Sequence, residues 1–243
     1  MRMKSRHWRA TALSSRTHSP NLARRSGWAF IAASLIAAIP QSALAADASR
    51  DIVDYFRIYY ARQASNSSAL QFISDAASAH TSADQLLNPA PSHAVIVDRK
   101  NGYLQIDDSS GLDQILTMAL YRKPDGSALI VVGTSDCDDA CDFSVQFFGP
   151  AVDGLRAVDS ARVLPAVSAS QFIKAGHPMP KAVAGIEPKI DYVPGRAGTD
   201  LALKPWYGYE AEAQMDAATR SAIQNLTLRW DRNKGVFATA PVR

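Results

Sequence analysis

The chain has 243 residues and two cysteines, with 26 lysines and arginines against 23 acids, a formal net charge of +3 at pH 7. Seven of the basic residues and none of the acids fall within residues 1–27. The rest of the chain is therefore acidic overall and lacks the basic stripe that nucleic-acid binding needs, so no nucleic-acid partner is expected.

Arg2, Lys4, Arg6, Arg9, Arg16, Arg24 and Arg25 precede an apolar run, Trp28 to Ile39, closed by Pro40. Ala43-Leu44-Ala45 follows, with small residues where a signal peptidase reads them. This is the three-part pattern of a secretory signal peptide over residues 1–45, with cleavage predicted after Ala45. The apolar run falls short of the about 20 residues a permanent span needs, so no transmembrane anchor is expected after cleavage. Arg24-Arg25 lacks the usual apolar residue two places on that a twin-arginine signal carries, so ordinary secretion is the expected route. Without residues 1–45 the chain keeps 19 of its 26 basic residues and all 23 acids, a net charge of −4 over 198 residues. That length suffices for one well-buried core, predicted as a single domain over 46–243. The expected location is periplasmic or secreted.

From Asp51 to Arg62 an apolar stripe, Ile52, Val53, Phe56, Tyr59 and Tyr60, has helical spacing, with Ser49 ahead of it as an N-cap. The stripe reads as core packing rather than a ligand wall. A second short helix is predicted over Ala69 to Ala77, with Leu70 and Ile73 inward. Pro89 and Pro91 end the helical part. Ala94 to Val97 and Gly102 to Ile106 then flank the connection Asp98-Arg99-Lys100-Asn101-Gly102, whose Asn-Gly end supplies a positive φ for a hairpin.

Residues 113–159 read as a meander of four strands. Leu116, Met118 and Leu120 alternate with Ile115, Ala119 and Tyr121, and Leu129 to Val132 is apolar throughout, so both strands need cover on both faces. The third strand alternates Phe143, Val145 and Phe147 with Ser144 and Gln146 and suits half burial. One or two helical turns are predicted over Ser168 to Ala175, strands over Lys189 to Val193 and Asp200 to Trp206, and a helix over Glu210 to Gln224. The chain closes on a hairpin around Asp231-Arg232-Asn233-Lys234-Gly235, which echoes the earlier Asp-Arg turn. Convergence on one turn chemistry explains the echo more simply than duplication. Helices, then antiparallel strands, a late helix and a hairpin define an α+β fold with N-terminal helices packed on an antiparallel meander sheet.

Chemistry-bearing residues are sparse. Cys137 and Cys141, four apart in an exported chain, are predicted to form a structural disulfide. A redox pair would want Cys-x-x-Cys at a helix N-terminus, whereas these cysteines sit among Asp136, Asp138, Asp139 and Asp142, which raise thiol pKa values. The same four aspartates are a weak cation candidate without EF-hand spacing, and a solvated acidic turn is the default. Trp206, Tyr207 and Tyr209 form an aromatic cluster that, on an exposed loop, would meet an envelope protein or a glycan. Outside the leader the histidines are His80, His93 and His177, in no zinc-binding spacing. No Gly-x-Ser-x-Gly elbow or phosphate loop is present, and no cofactor is implied. The favoured reading is an exported, non-enzymatic binding or structural module of the bacterial envelope. The alternative is a hydrolase-like enzyme with a small-molecule pocket between helices and sheet, using His93 or His177 as base beside an acid.

Overall fold

The computed structural model describes residues 50–66, 69–108, 113–137, 140–152, 154–197 and 199–239. The predicted leader, Ser49, Asp138 and Asp139 lie outside the described residues.

Helix α1, Ile52–Gln63, is started by Asp51 rather than by the expected Ser49. The Asp51 carboxylate accepts from the backbone N–H groups of Val53 and Asp54 at 2.9 and 3.1 Å. Asp54 reaches back to the Asp51 N–H at 3.0 Å. This reciprocal box satisfies the orphan donors of the first turn. The predicted stripe is buried, and Tyr55 joins it. Burial pushes the Tyr59 phenol up to about 12, so the ring is neutral in the core at ordinary pH.

Helix α2, Gln71–Ser78, buries Phe72 and Ile73. It is followed by the single-turn helix α3, Ala83–Leu86, boxed by Ser82 and Gln85. The Ser-x-x-Gln spacing that signals α3 is present in the sequence and was not among the expected helices.

Six strands then form one antiparallel meander in chain order: β1 (His93–Asp98), β2 (Tyr103–Asp108), β3 (Gln114–Arg122), β4 (Ala128–Cys137), β5 (Cys141–Ala151) and β6 (Gly154–Val158). The first hairpin and the four-strand meander of the sequence are thus one sheet. One face carries Leu104, Ile106, Leu116, Met118, Ile130 and Val132 against the helices. The other carries Tyr103, Ala119, Tyr121, Leu129, Val131 and Phe147.

That second face is covered by a second antiparallel sheet of four strands, in the order β10-β9-β8-β7. Its members are β7 (Lys189–Pro194), β8 (Asp200–Trp206), β9 (Leu226–Asp231) and β10 (Val236–Thr239). Leu201, Leu203, Leu228, Trp230 and Phe237 fill the space between the sheets, with Phe172 from the 3-10 turn Ala169–Phe172 plugged into it. The α+β class is as the sequence indicates, and the architecture is three layers: helices, central sheet, second sheet. A central sheet apolar on both faces dictates two covers, and the helices supply only one. The sheets meet closely at Gly133 of β4, where a Cβ would lie 2.5 Å from the Tyr192 carbonyl oxygen of β7.

The expected helix over Glu210 to Gln224 is two short ones, α4 (Tyr209–Gln214) and α5 (Ala217–Ala222). Met215 adopts an extended conformation and Asp216 recaps the chain, accepting from the Thr219 N–H at 2.7 Å. Aspartate at a helix interior competes for backbone donors in this way and favours a new N-terminus over continuation. No helix among the described residues is long and apolar enough to cross a membrane.

Candidate functional site

Strands β4 and β5 run to one end of the central sheet, and their last paired residues are Cys137 and Cys141. The two are joined by a disulfide. Strand β8 ends at the same place, because its final residue Trp206 pairs with Lys189 of β7. The Lys189 Nζ donates to the Cys141 carbonyl at 2.9 Å and to the Asp142 carboxylate, and lies 5.6 Å from the Trp206 ring centroid. One ammonium thus ties the disulfide hairpin to the second sheet.

Aromatic rings line this end. Phe143 meets Trp206 at a centroid distance of 6.1 Å, and Trp206 meets Tyr209 at 5.4 Å, both edge to face. The Tyr209 hydroxyl approaches the Cys141 sulfur at 3.7 Å. Phe143 and Trp206 are half-buried, and Tyr209 is 50 % exposed. Such edge-to-face pairs hold the rings in fixed relative positions while leaving apolar area at the surface.

Tyr207 does not share this surface. Neighbouring residues along an extended strand point to opposite faces, so Tyr207 turns away from Trp206. It is 6 % exposed and packs with Val183, Ala211 and Met215. Gly208, at φ +93°, then redirects the chain so that Tyr209 returns to the Trp206 side. Burial, with Glu212 and Glu187 nearby, raises the Tyr207 pKa, and its buried hydroxyl has no hydrogen-bond partner among the described residues. The ring borders a cavity of about 200 Å³.

Of the four candidate aspartates, the two described ones have local partners. Asp136 accepts from the Gln114 amide at 2.9 Å and Asp142 pairs with Lys189. Among the described residues no three His, Cys, Asp or Glu side chains converge as a metal site. The histidines occupy separate places. His93 Nε2 lies 3.0 Å from the Asn88 carbonyl oxygen. His80 is an exposed residue at φ +57° just beyond α2, and His177 is exposed in the loop before β7. The ion pairs among the described residues all run from arginine or lysine, so no histidine meets a carboxylate there.

The disulfide, Asp136 and Asp142 of the acidic stretch, and Trp206 and Tyr209 of the aromatic cluster, read separately in the sequence, therefore meet at one end of the central sheet, without Tyr207. Phe143 and Lys189 belong to the same constellation and were not among the expected site residues. Phe143 was legible only as a half-buried strand position, and nothing local marks Lys189.

Fold and site together define a three-layer α+β protein with a disulfide-closed aromatic end. No protein-family model and no curated protein matches the chain. Among solved structures it is similar to a domain of an uncharacterized protein from Porphyromonas gingivalis W83, at 11 % identity and a TM-score of 0.47. The match covers 76 % of this chain and 97 % of that one.

Proposed function

We propose that the protein is an exported, non-enzymatic binding module of the bacterial envelope, periplasmic or secreted, that contacts a protein partner through its aromatic end. The carrying observation is that the half-exposed ring of Tyr209, backed by Trp206 and Phe143, stands beside a hairpin end locked by the Cys137–Cys141 bridge. Export is supported by the leader pattern in residues 1–45 and agrees with a disulfide, which persists in oxidising compartments. A rigid aromatic anchor loses little entropy on binding, and tyrosine and tryptophan are enriched at interfaces for that reason. A protein surface suits the site better than a sugar. Sugar stacking wants an open ring face, whereas the Trp206 ring already has Lys189 over it and edge-to-face neighbours.

The test is a capture from envelope extract with the purified protein and its Tyr209→Ala variant, each oxidised and reduced. A protein retained by the oxidised parent and lost by the variant supports the reading. Equal capture by both sinks it, and so does retention of envelope glycan in place of a protein.

A further inference from the structure

The opposite end of the two sheets carries a different constellation. There the two echoing turns come together. Asp98 pairs with Tyr103 across the first and Asp231 with Val236 across the second, so each hairpin has a four-residue loop, Arg99–Gly102 and Arg232–Gly235. The loops are built alike. Asp98 accepts from the Asn101 N–H at 3.2 Å, and Asp231 accepts from the N–H groups of Asn233 and Lys234 at 3.1 Å. Each loop closes on a glycine in the left-handed region, φ +66° and +70°. Both glycines pack at the end of β3, Gly102 over its Leu120 and Gly235 over Lys123, the residue just past the strand. Tyr121 and Arg122 lie between them.

The turns use up their own aspartates, which pair with Arg196 and Lys234. The arginine after each aspartate is left to line a cavity of about 390 Å³. Among the described residues its walls include Arg99, Lys100, Arg122 and Arg232, with Asp51 as the single acid and Trp230 as an apolar side. Arg99 is paired with Asp51. Among the described residues, Lys100 and Arg232 have no carboxylate at salt-bridge distance. The Arg122 guanidinium donates one Nη to the Arg50 carbonyl at 2.6 Å, while its other Nη is buried with no hydrogen-bond partner among the described residues. A buried donor on a permanent charge costs free energy until an acceptor meets it.

We propose that this cavity is a binding site for a phosphate group, held by Arg122, Arg232 and Lys100. Four cations against one carboxylate leave the walls with an excess of three positive charges, which a dianionic phosphate balances better than a single carboxylate does. Guanidinium forks match phosphate oxygens in pairs, and Arg122 and Arg232 each bring one to the cavity wall. The site is separate from the aromatic end and does not rest on the function proposed for it.

The test is titration calorimetry on the purified, disulfide-bonded protein at low ionic strength, with inorganic phosphate, glycerol phosphate and acetate as probes. Cosedimentation with phosphatidylglycerol vesicles, against phosphatidylcholine vesicles, forms a second arm. Phosphate should bind more tightly than acetate. The double variant Lys100→Glu/Arg232→Glu should lower its affinity about tenfold or more, since two charge-assisted contacts are reversed. Both residues are exposed on turns held by other groups, so the variant keeps the fold. Asp51→Asn retains an N-cap acceptor but frees Arg99, and should tighten binding. Glycerol phosphate bound without the vesicles assigns a soluble ligand, and phosphatidylglycerol vesicles bound as well assign a lipid headgroup. Either supports the site if the double variant loses it. No binding by any phosphate probe, or an affinity unchanged in the double variant, overturns it.

Discussion

The two ends of the double sheet solve the same problem with different chemistry. Both must stop strands and hold two layers in register. At the aromatic end the stop is covalent, Cys137 to Cys141, and the layers are joined by Lys189 and by ring edges. Asp136, Asp142 and Lys189 find partners within the site, and beside them the Tyr209 ring is half exposed. At the other end the stops are two hairpin loops set by aspartate and glycine, and the layers are joined through β3. There the apolar groups are satisfied and what is offered is positive charge. A satisfied polar network beside exposed rings suits a macromolecular surface. Unsatisfied cations around a cavity suit a small anion.

The largest expected effect comes from the residue that anchors the cationic end. Tyr121 is 1 % exposed, packs edge-to-face on Phe237 at 4.9 Å, and donates to the Asp200 carbonyl at 3.0 Å. Tyr121→Ala should destabilise the fold by about 3–5 kcal/mol, and Tyr121→Phe by about 1 kcal/mol, measured by urea denaturation. Equal losses would mean that the hydroxyl, not the ring, holds the sheets together.

The twin turns make a sharper pair. Gly102→Ala puts a Cβ at 2.9 Å from the Leu120 Cβ, part of a strand that cannot yield. Gly235→Ala meets the Lys123 Cδ at the same distance, but that side chain can swing away. Both substitutions carry the left-handed strain. The first should cost about 3 kcal/mol and the second about 1 kcal/mol in the same measurement. Identical costs would show that backbone conformation alone sets the penalty.

These pairs also locate what the sequence made legible. Turn chemistry is local, so both hairpins and their glycines could be read from Asp-Arg-x-x-Gly. The runs around Leu116 and Leu129 announced strands buried on both faces. What covers the second face was not readable, because sheet membership depends on contacts between Leu203 or Trp230 and strands about a hundred residues away. Local competition also misled. Asp216 beats helix propagation where periodicity alone continues to Gln224, and Asp51 with Asp54 forms a better cap than Ser49. At the aromatic end the cysteine bridge was legible from spacing, but Tyr207 was grouped with Trp206 although strand geometry sends neighbours to opposite faces. The cationic cavity went unread because its cations come from three separate strand ends, and each turn looked complete by itself.

Removing the bridge tests whether the aromatic end is locked as a unit. Closing a loop this short contributes about 2 kcal/mol in the chain-entropy account. Cys137→Ser/Cys141→Ser should cost that much in global stability. It should also speed hydrogen exchange near Ser135 and Phe143 while leaving Leu120 and Tyr121 protected. Uniform acceleration along β4 and β5 would mean the end has no local autonomy.

The smallest effect lies in the pH dependence of the cationic end. Burial by itself would raise the Asp51 pKa, but the Asp54 N–H, Arg99 and the Val53 N–H outweigh it and hold the carboxyl below its ordinary value of 3.8. A carboxyl depressed in the folded state binds fewer protons there than in the unfolded chain. Its contribution is therefore complete above the unfolded value and is lost as pH falls through the lower folded one. The side chain is 30 % exposed and its partner Arg99 58 % exposed, so solvent screening limits the charge effect to about 0.5 kcal/mol. Asp51→Asn keeps the helix cap but not the charge. Thermal melts of parent and variant should differ at neutral pH and converge below pH 3.8, with the gap at neutral pH narrowing in high salt. A gap that survives in acid would place the role of Asp51 in cap geometry alone. Arg99 would then be as free for an incoming anion as Lys100 and Arg232.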